Sequence, residues 1–204
     1  MKILIWAPFT NKVGTTTNVV NSITALKRFS KEGKYSIDIV NVFGEWNDYD
    51  FKNIDVNKIK LLDNNFILRG QKNGFLKSRF YMILIFLNSI IPLFKLIKKN
   101  NYNYIIAHLI TSLPIFLFCF IKTRTKLILS IAGFPKLTFL RSFFWKLSSK
   151  NINKVLCPSK ETKQLLVNYN IFNQDKIFVV KDPHIYIKKI ISKKNENSFN
   201  SLDL

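Results

Sequence analysis

The loop that starts at Gly14 carries the first pattern that could do chemistry. Gly14 is followed by three threonines in a polar stretch behind an apolar run. A glycine and hydroxyls at a helix start present free backbone amides and the positive end of the helix dipole, which suit an anion or a sugar hydroxyl. The loop matches no dinucleotide-binding or Walker fingerprint, and a turn glycine with Thr17 or Asn18 as N-cap is the simpler explanation. Gly14, Thr15 and Thr16 are candidate substrate-binding residues.

His108 is the candidate catalytic residue because it directly follows a predicted strand at residues 104–107. A histidine at the end of a strand could act as a base. It could also simply hydrogen-bond a nearby backbone group, and the sequence leaves both roles open.

Two further turns follow predicted strands and could also contact a substrate. Gly133 comes after the strand at residues 127–131, where a glycine lets a backbone or a ligand approach closely. Ser159 comes after the strand at residues 155–157. We take Gly133 and Ser159 as candidate substrate-binding residues, although a helix N-cap by itself explains Ser159.

An amphipathic helix predicted at residues 137–147 combines aromatic and basic side chains. Such helices can lie on anionic membrane surfaces, and the membrane-facing candidates are Arg141, Phe144, Trp145 and Lys146. The alternative is that the aromatic stripe is the core face of a crossover helix, which would bury it.

Short apolar runs that alternate with helix-length segments must position these residues. The predicted strands are 3–7, 35–43, 59–62, 104–107, 127–131, 155–157 and 177–180, and the predicted helices are 18–29, 75–99, 113–121, 137–147 and 159–169. This alternation predicts an α/β fold with one doubly wound, mostly parallel, Rossmann-like sheet of about seven strands. Ligands bind such sheets outside the carboxyl ends of the strands. The four turns that hold Gly14, His108, Gly133 and Ser159 should therefore share one edge.

Length and charge narrow the function classes. The chain has 204 residues, enough for one full α/β domain, and its 48% hydrophobic content excludes a disordered protein. The net charge of +20 favours anionic partners. Cys119 and Cys157 form no disulfide framework and no metal-binding spacing, so a reducing compartment and no metal are expected.

Two stretches are apolar enough to raise the question of a membrane span. Residues 80–94 and 104–121 are near or below the ~18–20 residues that a span needs, and both contain polar residues and a proline. A buried helix and a buried strand–helix unit are favoured over a transmembrane hairpin. The first residues lack the features of a signal peptide.

The ordered set of motifs resembles the N-terminal half of a family 4 GT-B glycosyltransferase, the type that builds bacterial surface polysaccharides. The motifs are the opening strand through Pro8, the Gly14 loop, the strand before His108, residues 129–135 with Gly133, residues 155–159 with Ser159, and Asp182-Pro183. The resemblance extends to about Pro183.

The resemblance implies a domain organisation and a site. Residues 1–187 would form a Rossmann-like acceptor-binding domain, residues 188–204 a polar tail that begins an interdomain linker, and the C-terminal donor-binding domain would be absent. The Gly14 loop would face the donor diphosphate and the acceptor, with His108 in the same cleft. Ala132 stands where many members have a histidine.

The activity that the resemblance implies is retaining transfer of a sugar from a nucleotide-diphosphate sugar to a glycan or lipid-linked acceptor. No metal or other cofactor is implied. The nucleotide sugar is a co-substrate bound mainly by the absent domain, so the chain alone should be inactive. The implied partners are a sugar or lipid-linked sugar acceptor, an anionic membrane surface and a separate donor-binding chain. The implied location is the cytoplasm, peripheral on the inner membrane face.

Two rival functions remain open from the sequence. One is a non-catalytic, membrane-associated acceptor-binding subunit of a split glycosyltransferase. The other is a basic nucleic-acid-binding protein, but the charges are spread along the chain and no helix-turn-helix, RNA-binding or OB signature occurs. No nucleic-acid partner is therefore predicted.

Overall fold

A computed structural model describes residues 1–10, 14–29, 35–49, 51, 54–62 and 75–181. The strands are β1 (Lys2–Trp6), β2 (Ser36–Asn41), β3 (Val56–Lys60), β4 (Tyr104–Ala107), β5 (Lys126–Ser130), β6 (Ile152–Cys157) and β7 (Ile177–Val179). The helices are α1 (Gly14–Arg28), α2 (Phe75–Asn100), α3 (Ser112–Phe120), α4 (Phe139–Ser148) and α5 (Lys160–Asn168), with a short 3₁₀ turn at Gln174–Lys176.

All strands in the described residues belong to one seven-stranded parallel sheet in the order β3-β2-β1-β4-β5-β6-β7. The predicted α/β, Rossmann-like sheet is therefore confirmed. Ile5 of β1 lies between Ile39 of β2 and Ile106 of β4 in the register of the sheet. The chain winds outward from β1 in both directions, so the switch point of the sheet lies between β1 and β4.

The sheet separates two hydrophobic cores, as its doubly apolar central strands require. On one face Ile3 and Ile5 pack with Val19 and Ile23 of α1. On the other face, residues that include Leu4 pack with α2, α3 and α4. The helices α2, α3 and α4 also pack side by side as one layer.

Helix α1 starts earlier than the sequence-based prediction, whereas helix α2 has nearly the predicted bounds. Helix α1 begins at Gly14, before the predicted start at residue 18, so neither Thr17 nor Asn18 is its N-cap. Glycine and threonine have weak helix propensity, but burial of Thr16 and Asn18 holds this turn in the helix. Helix α2 runs unbroken through Pro92, because Leu93 and Ile97 beyond it are packed into the core.

A buried polar cluster ties the amino-terminal edge of the sheet together. The Tyr102 hydroxyl donates to Asp38 Oδ2 at 2.6 Å, and Lys2 Nζ lies 3.6 Å from the same oxygen. Burial, followed by the hydrogen bond to Asp38 and its charge, raises the pKa of Tyr102. This cluster fastens β2 to the start of β4.

The remaining boundaries differ from the predicted ones by a few residues. The predicted tail 188–204, the end of the predicted domain at residue 187, and the Asp182-Pro183 motif lie outside the described residues.

Candidate functional site

The carboxyl edge of the sheet holds the predicted site residues. Gly14, His108, Gly133 and Ser159 follow β1, β4, β5 and β6, and these strands are parallel. Two openings flank this edge. A groove of about 490 Å³ lies on the side of α1, and a crevice of about 1090 Å³ lies on the side of α2, α3 and α4.

The groove on the α1 side brings two of the candidates together. Thr15 and His108 both line it, above apolar walls from Ile5 and Ile106. Ala132 and Pro158, which directly precede the candidates Gly133 and Ser159, line it as well. A groove with polar groups at its rim and apolar walls is suited to a sugar ring, whose faces are apolar and whose edges are hydroxyls.

His108 is a neutral group in this groove. Burial lowers the pKa of its imidazole from 6.5 to about 4. Its backbone N–H donates to the carbonyl of Trp6, and within the described ranges no hydrogen bond reaches its ring. A neutral imidazole can orient an acceptor hydroxyl by accepting its proton in a hydrogen bond, and it is a weak base at that pKa.

Gly133 owes its residue type to the backbone. Its φ is +84°, a conformation that costs glycine little and other residues more. A Cβ at this position would meet no atom within 4 Å. The predicted close approach of a ligand to Gly133 stays a prediction.

Thr16 has a packing role that the sequence did not indicate. Its side chain is buried, and the Tyr49 hydroxyl donates to its Oγ1 at 3.1 Å. Tyr49 in turn packs on Trp46, and Trp46 on Phe9, with ring centroids 4.9 and 5.0 Å apart. Thr16 therefore helps to pack the loop after β2, and its predicted substrate contact stays a prediction.

Ser159 is the N-cap of α5. Its Oγ accepts a hydrogen bond from the backbone N–H of Thr162 at 3.2 Å. The hydrogen bond to Ser159 is also the main reason why the pKa of Glu161 is lowered. Capping explains the serine fully, and its substrate contact remains a prediction.

The crevice on the other side of the edge was not predicted. Its apolar walls come from α2, α3, α4 and the turns after β1 and β4, and two arginines, Arg79 and Arg141, line it. Arg141 Nη1 donates to the carbonyl of Lys136 at 2.7 Å, which holds this guanidinium near the start of α4. The sequence feature that could have indicated this crevice is Pro8-Phe9-Thr10, which follows β1 after Ala7 at the switch point of the sheet.

The turn after β4 is strained where it lines the crevice. Ile110 has a φ of +44°, which is unfavourable for a β-branched residue. The indole N–H of the buried Trp6 donates to the Ile110 carbonyl at 3.1 Å and holds the turn. Strain of this kind concentrates at functional sites.

The membrane-facing candidates on α4 divide between the two sides of that helix. Trp145 is 6% exposed and packs on Phe172, so its predicted membrane-facing position is wrong. A tryptophan of this size fills the core between α4 and the segment after α5. Phe144 is half-buried, whereas Arg141 and Lys146 are exposed, and the membrane contact of these three residues stays a prediction.

Potential metal ligands are scattered in the described part of the chain. Within it, no group of three His, Cys, Asp or Glu side chains could hold a metal ion. Burial raises the pKa of the Cys157 thiol, which keeps it in the weakly nucleophilic protonated form.

Solved structures share this fold. A glycosyltransferase from Rickettsia africae is 19% identical, with a TM-score of 0.59 over 97% of this chain and 49% of its own. A UDP-GlcNAc 2-epimerase from Neisseria meningitidis, bound to UDP-GlcNAc, is 14% identical, with a TM-score of 0.60 over 96% of this chain and 51% of its own. The lipopolysaccharide outer core galactosyltransferase WaaB is 14% identical, with a TM-score of 0.51 over 90% and 46%.

No protein-family model and no curated protein sequence matches the chain. The chain spans about half the length of the solved structures that it matches. At these identities the likeness establishes the fold: a Rossmann-like parallel α/β domain that matches one half of glycosyltransferases and UDP-GlcNAc 2-epimerases.

Proposed function

We propose that this domain is the acceptor-binding half of a retaining, family 4 type glycosyltransferase that acts in bacterial surface polysaccharide synthesis. Its acceptor is a lipid-linked sugar or glycan. The fold neighbours named as glycosyltransferases support sugar transfer as the class of reaction. The shape of the carboxyl edge supports acceptor binding as the role of this domain.

The crevice at the switch point is the observation that carries the proposal. It has apolar walls from three helices and two arginines among its lining residues. A lipid-linked sugar has the complementary parts: an apolar chain, one or two phosphates and a sugar. Arg79 and Arg141 would pair with the phosphates, because a guanidinium binds phosphate oxygens through paired hydrogen bonds.

The groove that His108 and Thr15 line would bind the reacting sugar of the acceptor and face the donor. The neutral imidazole of His108 would orient the acceptor hydroxyl towards the donor. The amino-terminal turn of α1, with Gly14 and Thr15, faces the same edge and would favour the leaving diphosphate. The nucleotide sugar itself would bind a second domain, on the same or another polypeptide, and no metal is required in this scheme.

Binding of acceptor and donor by residues 1–204 tests the proposal. We expect a short-chain isoprenyl diphosphate-linked GlcNAc to bind and to quench the fluorescence of Trp145, which lines the crevice. Arg141→Ala should weaken this binding about 10- to 100-fold, as expected for a lost charged hydrogen bond. The matched control is Arg124→Ala, an exposed arginine that lines a cavity at the opposite edge of the sheet.

For the donor, in contrast to the acceptor, we expect no binding by this chain. Calorimetry with UDP- or GDP-sugars should show no micromolar binding by this chain, and the chain alone should transfer no sugar. Micromolar binding of a nucleotide sugar, together with no effect of Arg141→Ala on the acceptor analogue, would contradict the assignment.

The His108→Asn variant distinguishes a catalytic half-enzyme from a non-catalytic acceptor-binding subunit. The measurement is made on the enzyme reconstituted with a donor-binding domain. A catalytic His108 predicts a lower kcat with little change in the KM for acceptor. An unchanged kcat would favour the non-catalytic subunit.

A further inference from the structure

Helix α2 exposes a continuous apolar stripe to solvent. Its outward side chains are Phe80, Ile83, Leu87, Ile91 and Phe94, and Ile91 is 62% exposed. Their spacing of three and four residues places them on one face of the helix. The opposite face, with Ile85, Leu93 and Ile97, is buried against the sheet.

The stripe continues across the neighbouring helices. Ring contacts run from Phe86 of α2 to Phe116 of α3 and on to Phe144 of α4, with centroids 5.5 and 6.3 Å apart. Beyond them α4 exposes Phe139 and Phe143, the former at 85%. We call the outward surface of α2, α3 and α4 the helix-layer face, with Phe80, Ile83, Leu87, Ile91, Phe94, Phe120, Phe139, Leu140, Phe143 and Leu147 as its exposed apolar residues.

The charge on this part of the chain has one sign. Between residues 75 and 150 the sequence has no Asp or Glu. Its basic residues are all exposed, and they are Lys77, Arg79, Lys95, Lys98, Lys99, Lys122, Arg124, Lys126, Lys136, Arg141, Lys146 and Lys150. An exposed apolar surface on a segment whose charged residues are all basic is complementary to a bilayer that contains anionic lipid.

We propose that the helix-layer face docks on an anionic membrane surface, with α2 lying along it. Helix Lys77–Asn100 is long and apolar enough to cross a membrane. A crossing would have to pull Ile85, Leu93 and Ile97 out of the core and would separate β3 from β4, which belong to one sheet. The helix therefore lies on the bilayer and does not span it.

Docking in this orientation adds a membrane partner to the proposed function. It rests on that function only where it concerns how the acceptor enters the crevice. Ile83 and Leu140 belong to the helix-layer face and also line the crevice. The crevice therefore opens beside the docked surface, and a lipid-linked acceptor could enter it while its chain stays in the bilayer.

Flotation of residues 1–204 with vesicles that contain no lipid-linked sugar tests the docking separately from acceptor binding. We expect recovery with vesicles of phosphatidylcholine mixed with phosphatidylglycerol, and little with phosphatidylcholine alone. Lys95→Glu with Lys99→Glu should reduce partitioning about thirtyfold or more, since each basic residue near an anionic surface contributes about a factor of five. The control is Arg28→Glu with Lys154→Glu, which makes the same change in net charge outside the helix layer.

The apolar part is tested by Leu87→Gln with Ile91→Gln. Both positions are exposed, so we expect unchanged circular dichroism and melting, weaker vesicle binding, and unchanged affinity for a water-soluble acceptor analogue. Phe29→Gln, an exposed aromatic after α1, is the control and should bind vesicles normally.

Three results would overturn the docking proposal. One is equal recovery with anionic and neutral vesicles, or recovery with neither. Another is full vesicle binding by the Leu87→Gln, Ile91→Gln variant. The last is a dimer in solution that this variant converts to monomer, which would assign the face to a second copy of the chain. None of these depends on whether the crevice binds a sugar.

Discussion

At the residue scale, His108 links the candidate site to the stability of the domain. Its pKa is about 4 in the folded chain against 6.5 for an unburied histidine. The unfolded chain therefore binds more protons between these two pH values, so the free energy of unfolding falls as pH drops from 6.5 towards 4.

We expect His108→Asn to remove this dependence. The difference in unfolding free energy between wild type and variant should change by at most about 3 kcal/mol from pH 6.5 to pH 4. Urea unfolding at several pH values measures it, and His184, present in both proteins, cancels in the difference. Parallel pH profiles for the two proteins would show that His108 titrates normally and is not held neutral.

Tyr102 gives a second prediction at this scale. Tyr102→Phe leaves the buried Asp38 carboxylate without its 2.6 Å hydrogen bond, so we expect a loss of about 1.5–3 kcal/mol in the free energy of unfolding. Tyr104→Phe, two residues along and half-buried, is the matched control and should cost less than about 0.5 kcal/mol. Similar losses at both positions in urea unfolding would mean that the Asp38 contact contributes nothing.

At the element scale, α4 shows why an aromatic stripe has two possible uses. Its aromatic residues lie on both sides of the helix: Trp145 faces the core, and Phe143 is 54% exposed. One face of the helix thus packs into the core, and the other face is exposed and available to a partner.

Truncation of the two residues should separate these roles. We expect Trp145→Ala to lower the free energy of unfolding by about 3–5 kcal/mol and Phe143→Ala by less than about 1 kcal/mol. Thermal or urea unfolding measures both. In vesicle flotation the pattern should reverse for folded protein, with Phe143→Ala the weaker binder. A large stability loss at Phe143 would instead place it in a core.

Helix α2 shows the same division over a greater length. A soluble domain has no need of five large apolar side chains on the solvent side of one crossover helix, and an exposed patch of this kind usually marks an interaction surface. The basic residues around it favour a bilayer over self-association, because two copies would bring like charges together.

At the scale of the whole molecule, the net charge of +20 should produce some binding to any polyanion. We expect association with random-sequence duplex DNA to be weak and to disappear between about 0.05 and about 0.2 M salt, because it rests on phosphate contacts alone. Fluorescence anisotropy across this range measures it. Vesicle binding should persist further into that range, since burial of apolar side chains is not screened. DNA binding that survives high salt or depends on base sequence would restore the nucleic-acid function as a candidate.

The fold class could be predicted from the sequence because the apolar runs and the lengths of the segments between them both indicate alternating strands and helices. The apolar runs of β1 and β4 are continuous, as strands covered on both faces must be, and the segments between strands have helical length. A parallel sheet then places the residues after its strands at one edge. The positions of Gly14, His108, Gly133 and Ser159 along that edge followed from topology without any knowledge of side-chain contacts.

The sequence by itself therefore determined the sheet, its edge and the sign of the charge, since these depend on order and composition along the chain. Only the tertiary structure decided which face of each helix is covered. Helix α2 is apolar around most of its circumference, so its periodicity could not distinguish Ile85, in the core, from Ile91, in solvent. The same holds for Trp145 and Phe143 in α4. The crevice with Arg79 and Arg141 also escaped prediction, because its walls come from segments far apart in the chain that meet only when the helices pack on the sheet.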